Sequence, residues 1–238
     1  AGLAKQGLRP VVAIYSTFLQ RAVDQVMHDV CLLNLPVVLA VDRAGCVGAD
    51  GRTHHGMFDI PLLRCLPGLT VCQPRDAASL QAMLACAFEK GGPWVIRYPR
   101  GKVPQGVEAT SKVDYGRAAQ VCGGEAKLQL WALGEQVEKA LKVAALLKER
   151  GLAAGVVDAR FVKPFDAEML AWQRAAGARI VSIENGSVCG GLGEAIGADL
   201  RFGWPDVFVE HGSVAELERI HGFDAESIAR KIAAAGLV

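Results

Sequence analysis

The sequence predicts an α/β fold made of two tandem three-layer α/β/α units with mostly parallel sheets. Three observations point to it. Apolar runs such as VVAIY at 11–15 and VVLAV at 37–41 lack the in–out alternation of a strand with one wet face, so they read as strands covered on both sides. Amphipathic stretches that open on Asp or close on Gly, Lys or Pro separate them. The alternation breaks once, over the aperiodic KVPQGVEATSKVDYGR at 102–117, and then restarts.

Each element has its own signal. AGLAKQG suits the last turns of a helix closed by Gly7, so the chain is expected to begin inside a domain. After the strand at 11–15, Val23, Val26, Met27, Val30 and Leu33 share one helical face, and Pro36 ends that helix. A strand at 37–41 leads into the glycine-rich, highly ionisable stretch 42–56. A short helix at 60–65, a strand at 70–72, a helix from the N-cap Asp76 to about Lys90 and a strand at 94–98 follow. Beyond the linker come a strand at 128–133, a helix at 135–150, a strand at 154–159, a helix capped by Asp166 and a strand at 179–183. The loop NGSVCGGLG then precedes a helix from about Glu194, residues 207–209 are expected to form a strand, and Asp224 caps the last helix. The expected domains are therefore 1–101 and 118–238, joined by a linker at 102–117, with no repeat relating them.

Composition excludes several function classes. The chain is 51% hydrophobic and 21% charged, so it can bury a large core. Its 26 basic residues balance 25 acidic ones without a long charge run, which disfavours nucleic-acid and anionic-membrane partners. No apolar run reaches the ~18 residues of a membrane span. Seven scattered cysteines with no CxxC pair suit a reducing cytoplasm, with free thiols used as small apolar residues.

In open parallel sheets, ligands bind beyond the carboxyl ends of strands. Three segments of the first unit leave such ends: 15–21, 42–56 and 97–101. They supply Tyr15, Phe18, Arg21, Arg43, Asp50, His54 and Arg100. Together these offer an aromatic face, fixed cations for an anion and an imidazole that moves protons near neutral pH. Each also has a structural reading. Arg43 and Arg100 could pair with Asp42 or Asp59, Phe18 could be core, Asp50-Gly51 is a strong turn signal in itself, and His54 could be a solvated loop residue. His28, His211 and His221 read as packed, hydrogen-bonded histidines. CGGLGEAIG at 189–197 resembles a phosphate-cradling loop before a helix, but its spacing is neither GxGxxG nor Walker, and close helix packing explains the glycines better.

YSTFLQRAVDQVMHDV at 15–30, PVVLAVDRAGCVGADGRTHHGMFD at 36–59 and RYPRG at 97–101 closely resemble the 1-deoxy-D-xylulose-5-phosphate synthases, thiamine diphosphate enzymes of the transketolase-like group. VVDARFVKPFD at 156–166 and ENGSVCGGLGEAI at 184–196 resemble their C-terminal domain. The segment GADGRTH at 48–54 is shared with transketolases, and related segments occur in the β subunits of 2-oxoacid dehydrogenases. YSTFLQRA with DRAG and YPRG is much narrower and points to the synthases.

The resemblance implies a partial pyrimidine-binding domain followed by a transketolase C-terminal domain. It implies decarboxylation of pyruvate and condensation with glyceraldehyde 3-phosphate, giving 1-deoxy-D-xylulose 5-phosphate for isoprenoid, thiamine and pyridoxal precursors. In that frame Phe18 stacks on the cofactor's aminopyrimidine, with Arg21 near that end. Tyr15, Arg43 and Arg100 hold the acceptor phosphate, and Asp50 and His54 are the polar pair beside the reacting carbons. His54, not His55, matches the Thr-His position. The family's magnesium–diphosphate motif and its catalytic glutamate are not in these residues, so the Mg²⁺ ligands are expected outside the chain. Its partner would be the missing N-terminal segment, and the chain alone would be inactive. A cytoplasmic homodimer is implied. Two alternatives stay open: a β-type subunit of a thiamine-dependent 2-oxoacid dehydrogenase, and a catalytically silent dimerisation module.

Overall fold

A computed structural model describes residues 1–102 and 112–237, so most of the expected linker, 103–111, lies outside the described residues. The strands are β1 (Val11–Tyr15), β2 (Val38–Asp42), β3 (Thr70–Cys72), β4 (Trp94–Arg97), β5 (Ala119–Cys122), β6 (Leu128–Ala132), β7 (Gly155–Asp158), β8 (Phe161–Lys163), β9 (Arg179–Ser187) and β10 (Leu200–Trp204). They form two five-stranded sheets, ordered β1-β2-β4-β3-β8 and β10-β9-β6-β7-β5. Each sheet is parallel except for one antiparallel edge strand, β8 on β3 and β5 on β7. The central strands are mostly apolar: every residue of β4 and β6 is buried, Arg97 and Gln129 included, as expected of strands covered on both faces.

The helices are α1 (Gly2–Lys5), α2 (Ser16–Leu19), α3 (Val23–Gln25), α4 (Asp59–Arg64), α5 (Ala77–Lys90), α6 (Gln136–Glu149), α7 (Ala167–Ala175), α8 (Leu192–Ala195), α9 (Val214–His221) and α10 (Ala225–Ala234). Their starts follow from capping. Asp76 accepts from the Ser79 N–H while Ser79 reaches back to the Asp76 N–H, Asp166 accepts from Met169 and Asp224 from Ser227. Each such cap contributes about 1 kcal/mol.

β8 ties the two sheets together. The chain leaves β7 in the second sheet, turns at Arg160 with φ 56°, and enters the first sheet within three residues. One apolar cluster runs through both units: Leu39, Val41 and Val71 share it with Trp131, Val157 and Ile180.

The segment after β1 departs from the expected regular helix. A 3₁₀ turn at Gln20–Ala22 and a π-helical stretch at Val26–Cys31 interrupt it. The Leu32 N–H bonds to the Met27 carbonyl and Leu35 to Val30, five residues back. A turn that holds an extra residue destroys the 3.6-residue register. Val26, Val30 and Cys31 are buried, while Met27 and Leu33, expected on the same face, are exposed. The strand expected at 207–209 is also absent: Pro205 ends β10, and Val207 and Phe208 are exposed. The last sheet position goes instead to β10, whose mixed sequence LRFGW fits an edge. β9 is longer than expected and absorbs Asn185, Gly186 and Ser187 from the predicted loop.

β1 is an open edge. Val11 and Val12 are 46% and 40% exposed although they lie in a parallel sheet. The Val38 N–H bonds to the Pro10 carbonyl, which sets the phase of the ladder. Parallel pairing then turns the N–H and C=O of Val12 and Ile14 toward β2, and those of Val11 and Ala13 outward.

Candidate active site

Three of the expected site segments converge because of strand order. β1, β2 and β4 are immediate neighbours in the sheet, so the residues following their carboxyl ends emerge side by side, about 5 Å apart per strand. Tyr15 ends β1 opposite Asp42 of β2, Arg43 follows β2, and Arg100 lies just beyond β4.

Their side chains make a connected set. The Arg43 guanidinium donates to the Tyr15 hydroxyl at 2.8 Å and lies over the Tyr15 ring, 4.3 Å from its centroid. That hydrogen bond raises the Arg43 pKa above its ordinary value. Arg43 and Arg100 both reach Asp50, at 3.6 Å and 2.5 Å. The Phe18 ring stacks on Tyr15 at 5.2 Å and meets His54 edge-on at 6.0 Å. Phe18 is 47% exposed, so it is not core. Asp42, the alternative partner for Arg43, instead accepts from the Arg43 backbone N–H, and Asp59 is occupied by Arg97. Arg21 stands apart: exposed in the 3₁₀ turn, it shares no hydrogen bond or ion pair with the others.

The loop 43–56 is pinched at its base. Gly45 and Gly56 exchange both backbone hydrogen bonds at 2.7 Å, which returns His54 to the end of β2. Gly56 must be glycine, since a Cβ there would sit 2.4 Å from the Arg43 carbonyl and 2.5 Å from Ser16 Oγ. Inside the loop the adjacent histidines part company. His55 is buried; its Nδ1 faces the Val47 N–H at 3.2 Å, which can only donate. Nδ1 is therefore the acceptor and Nε2 carries the proton, donated to the Glu210 carbonyl at 3.0 Å. His55 thus cross-links the loop to the second unit. Of the His54 ring nitrogens, Nδ1 meets Thr53 Oγ1 at 3.0 Å.

Beneath this set lies a buried polar network that sequence reasoning missed. Arg97 is fully buried and forks onto Asp59 at 2.9 and 3.0 Å, with further bonds to Gln73 and, at 3.0 Å, to the Asn185 carbonyl. Gln73 and Asn185 both donate to Glu135. The only sequence signal was a charge ending an apolar strand in WVIR and IEN. A cavity of about 560 Å³ beside Arg100 has Cys46, Glu135, Gln136, Asn185 and Glu218 in its wall. Arg43, Phe18 and His54 do not line it.

The other histidine and glycine readings resolve on geometry. His28 and His211 are exposed rather than packed, with His28 bonded to Asp24 at 2.9 Å. His221 is largely buried and pairs with Glu210 at 3.2 Å. In CGGLGEAIG the Leu192 and Gly193 N–H groups donate to the buried Glu184 carboxylate at 2.7 and 2.8 Å, so that helix start is satisfied from within. Burial pushes the Glu184 carboxyl up to about 7. All seven cysteines are free. Among the described residues no group of three or more His, Cys, Asp or Glu could hold a metal, and no helix is long and apolar enough to cross a membrane.

Comparisons with known proteins agree on one kinship. The pyrimidine-binding domain of transketolase matches residues 1–105, and the transketolase C-terminal domain matches 116–228. The chain is 48% identical to the 1-deoxy-D-xylulose-5-phosphate synthase of Thermomicrobium roseum over 97% of its own length and 39% of that enzyme. With the synthase of Desulfotalea psychrophila the identity is 44%, over 96% of this chain and 38% of that one. The chain thus spans under two-fifths of the length of these relatives. Among solved structures, a split-gene transketolase in the form of an inactive β4 tetramer superposes with a TM-score of 0.89 at 30% identity, covering 98% of this chain and 78% of that one. Transketolase from Leishmania mexicana shares the fold, with a TM-score of 0.81 at 24% identity, over 94% of this chain and 34% of that one.

Proposed function

The chain belongs to the transketolase family, and from that premise we propose that it is the acceptor-binding portion of a 1-deoxy-D-xylulose-5-phosphate synthase. The substrates are pyruvate and glyceraldehyde 3-phosphate, joined with loss of carbon dioxide. One observation carries the reading: Arg43 and Arg100, from neighbouring strand ends, meet at one carboxylate beside an exposed aromatic ring and an imidazole. Two guanidinium groups so placed can take a phosphate dianion bidentately and hold the aldehyde at the other end of the acceptor toward His54.

The residues fit thiamine diphosphate at its pyrimidine end. Phe18 presents a half-exposed ring held flat by the stacked Tyr15, a platform for a planar heteroaromatic ring. Arg21, three residues on, is assigned to that end by the resemblance alone. When bound, the cofactor supplies the electron sink for pyruvate decarboxylation. Its Mg²⁺–diphosphate end is assigned to polypeptide outside this chain. The domain division at 1–101, 102–117 and 118–238, cytoplasmic location and homodimeric assembly belong to the same reading.

His54 moves a proton to or from the acceptor oxygen through its Nε2, with Asp50 setting the local charge. His54→Ala should lower kcat of the completed enzyme by about 10²–10⁴ while changing the acceptor KM much less. A variant with wild-type kcat makes His54 structural.

The polypeptide that completes the cofactor site covers the open β1 edge by adding a strand. Ala13→Pro removes only an outward N–H, so it should abolish activation by that polypeptide and leave the chain's own melting temperature within a few degrees. Val12→Pro breaks a bond to β2 and should unfold the sheet. Normal activation of Ala13→Pro places the partner elsewhere. The dehydrogenase alternative is separated by offering glyceraldehyde 3-phosphate against a lipoyl domain as acceptor.

A further inference from the structure

The two arginines assigned to the acceptor phosphate sit on different segments, and one residue of the second sheet bonds to both segments. Asn185 is buried in β9. Its Oδ1 accepts from the Cys46 N–H at 3.1 Å and from Trp204 Nε1 at 2.8 Å. Its Nδ2 donates to Glu135 Oε1 at 2.7 Å, and its carbonyl accepts from Arg97 Nη2 at 3.0 Å. Cys46 lies three residues beyond Arg43, and Arg97 three residues before Arg100. The loop is seated directly on this side chain: a Cβ on Gly45 would come within 2.2 Å of it.

A direct bond from the Ala44 N–H to the Tyr98 carbonyl, at 3.0 Å, joins the near ends of the two segments. The far part of the loop is fixed separately, by His55 on the Glu210 carbonyl. The Asn185–Cys46 bond supplies a second fixed point, and the Asn185–Arg97 bond fixes the strand on the other side. Resting on the phosphate reading above, we infer that Asn185 is a positioning residue that sets the spacing of Arg43 and Arg100, and so makes the site selective for phosphorylated acceptors. It touches no reacting atom and acts through the two segments.

The test uses this chain and glycerol 3-phosphate, an unreactive acceptor-length probe, with affinity read by isothermal titration calorimetry and folding by thermal melting. Asn185→Asp keeps the oxygen for Cys46 and Trp204 but sets a carboxylate against Glu135. It should weaken binding about tenfold or more, because small displacements of positioning groups have effects of that size. Asn185→Ser, which adds no charge, is the second variant and should do the same. The exchanged pair Asn185→Asp/Glu135→Gln restores a donor and an acceptor across that bond. Gln136, whose Oε1 has no partner, can turn its amide to accept from the new donor. The exchange should return affinity to about twofold of wild type. In an Arg100→Ala background, Asn185→Asp should add less than about a twofold further loss, since with one arginine gone there is no spacing between the two left to set. A purely structural Asn185 would shift the melting temperature without this pattern.

Folded Asn185 variants with wild-type affinity, full additivity with Arg100→Ala, or failure of the exchange to restore binding each overturn the inference. Should Arg43→Ala and Arg100→Ala also bind as wild type, or should the wild-type chain not bind the probe, the phosphate reading falls as well. If only the Asn185 variants do so, that reading stands and this inference alone is lost.

Discussion

Asp59→Ala is expected to destabilise the chain by about 3–5 kcal/mol, the largest effect of any single change outside the apolar core. Asp59 takes both arms of Arg97, at 2.9 and 3.0 Å, and neither side chain is reached by water. Removing the carboxylate leaves a guanidinium that cannot lose its proton in the middle of a protein. Gln73 and the Asn185 carbonyl still accept from it, but neither carries charge. The measurement is urea unfolding of the isolated chain. A loss below about 1 kcal/mol would mean that water enters the site and solvates Arg97. Replacing both partners by apolar residues, Asp59→Leu with Arg97→Met, should recover much of the loss, because no charge is then stranded. Recovery stays partial, since Gln73 and Asn185 lose their donor. The same pair explains why α4 stands where it does: Asp59 is its first residue and is tied to the last residue of β4.

Sequence legibility tracks how local the cause is. The helix read from the N-cap Asp76 to about Lys90 is α5, because capping is a contact between near neighbours. β3 was equally plain, as a short β-favouring run, Thr70-Val71-Cys72, between turns. The strand ends that carry Tyr15, Arg43 and Arg100 could be read from apolar runs. Their adjacency could not, because β4 inserts between β2 and β3, and no local signal encodes a crossover. Short edge strands β5 and β8 escaped for a related reason: paired on one side only, they need no long apolar run. The π-helical stretch at 26–31 hides behind a pattern that fits an ordinary helix. Arg97 and Asn185 were unreadable as a hub, since a buried charge or amide looks like a surface one until its partners, distant in the chain, are known.

On the phosphate-binding reading proposed above, Arg100→Ala should raise the acceptor KM of the completed synthase about 10- to 100-fold, with a much smaller change in the half-reaction that consumes pyruvate. Losing one charge-assisted hydrogen bond to a phosphate costs about 1.5–3 kcal/mol, and each 1.4 kcal/mol is tenfold. Charge decides the direction. Arg43, Arg100 and Asp50 together carry one net positive charge, so Asp50 competes with the incoming dianion for both guanidiniums. Without Arg100 the trio is neutral; without Arg43 as well it is negative and should repel the phosphate. Asp50→Asn works the other way: it frees both arginines and should lower the acceptor KM. Salt supplies an independent check. Arg100 is nearly half exposed, and at physiological ionic strength charges are screened over about 8 Å, so wild-type KM should climb with added salt. The Arg100→Ala slope should be visibly flatter. If Arg100→Ala keeps both the wild-type KM and the wild-type salt slope, the guanidinium serves only to fasten Asp50, and the acceptor's anionic end must be held by other groups.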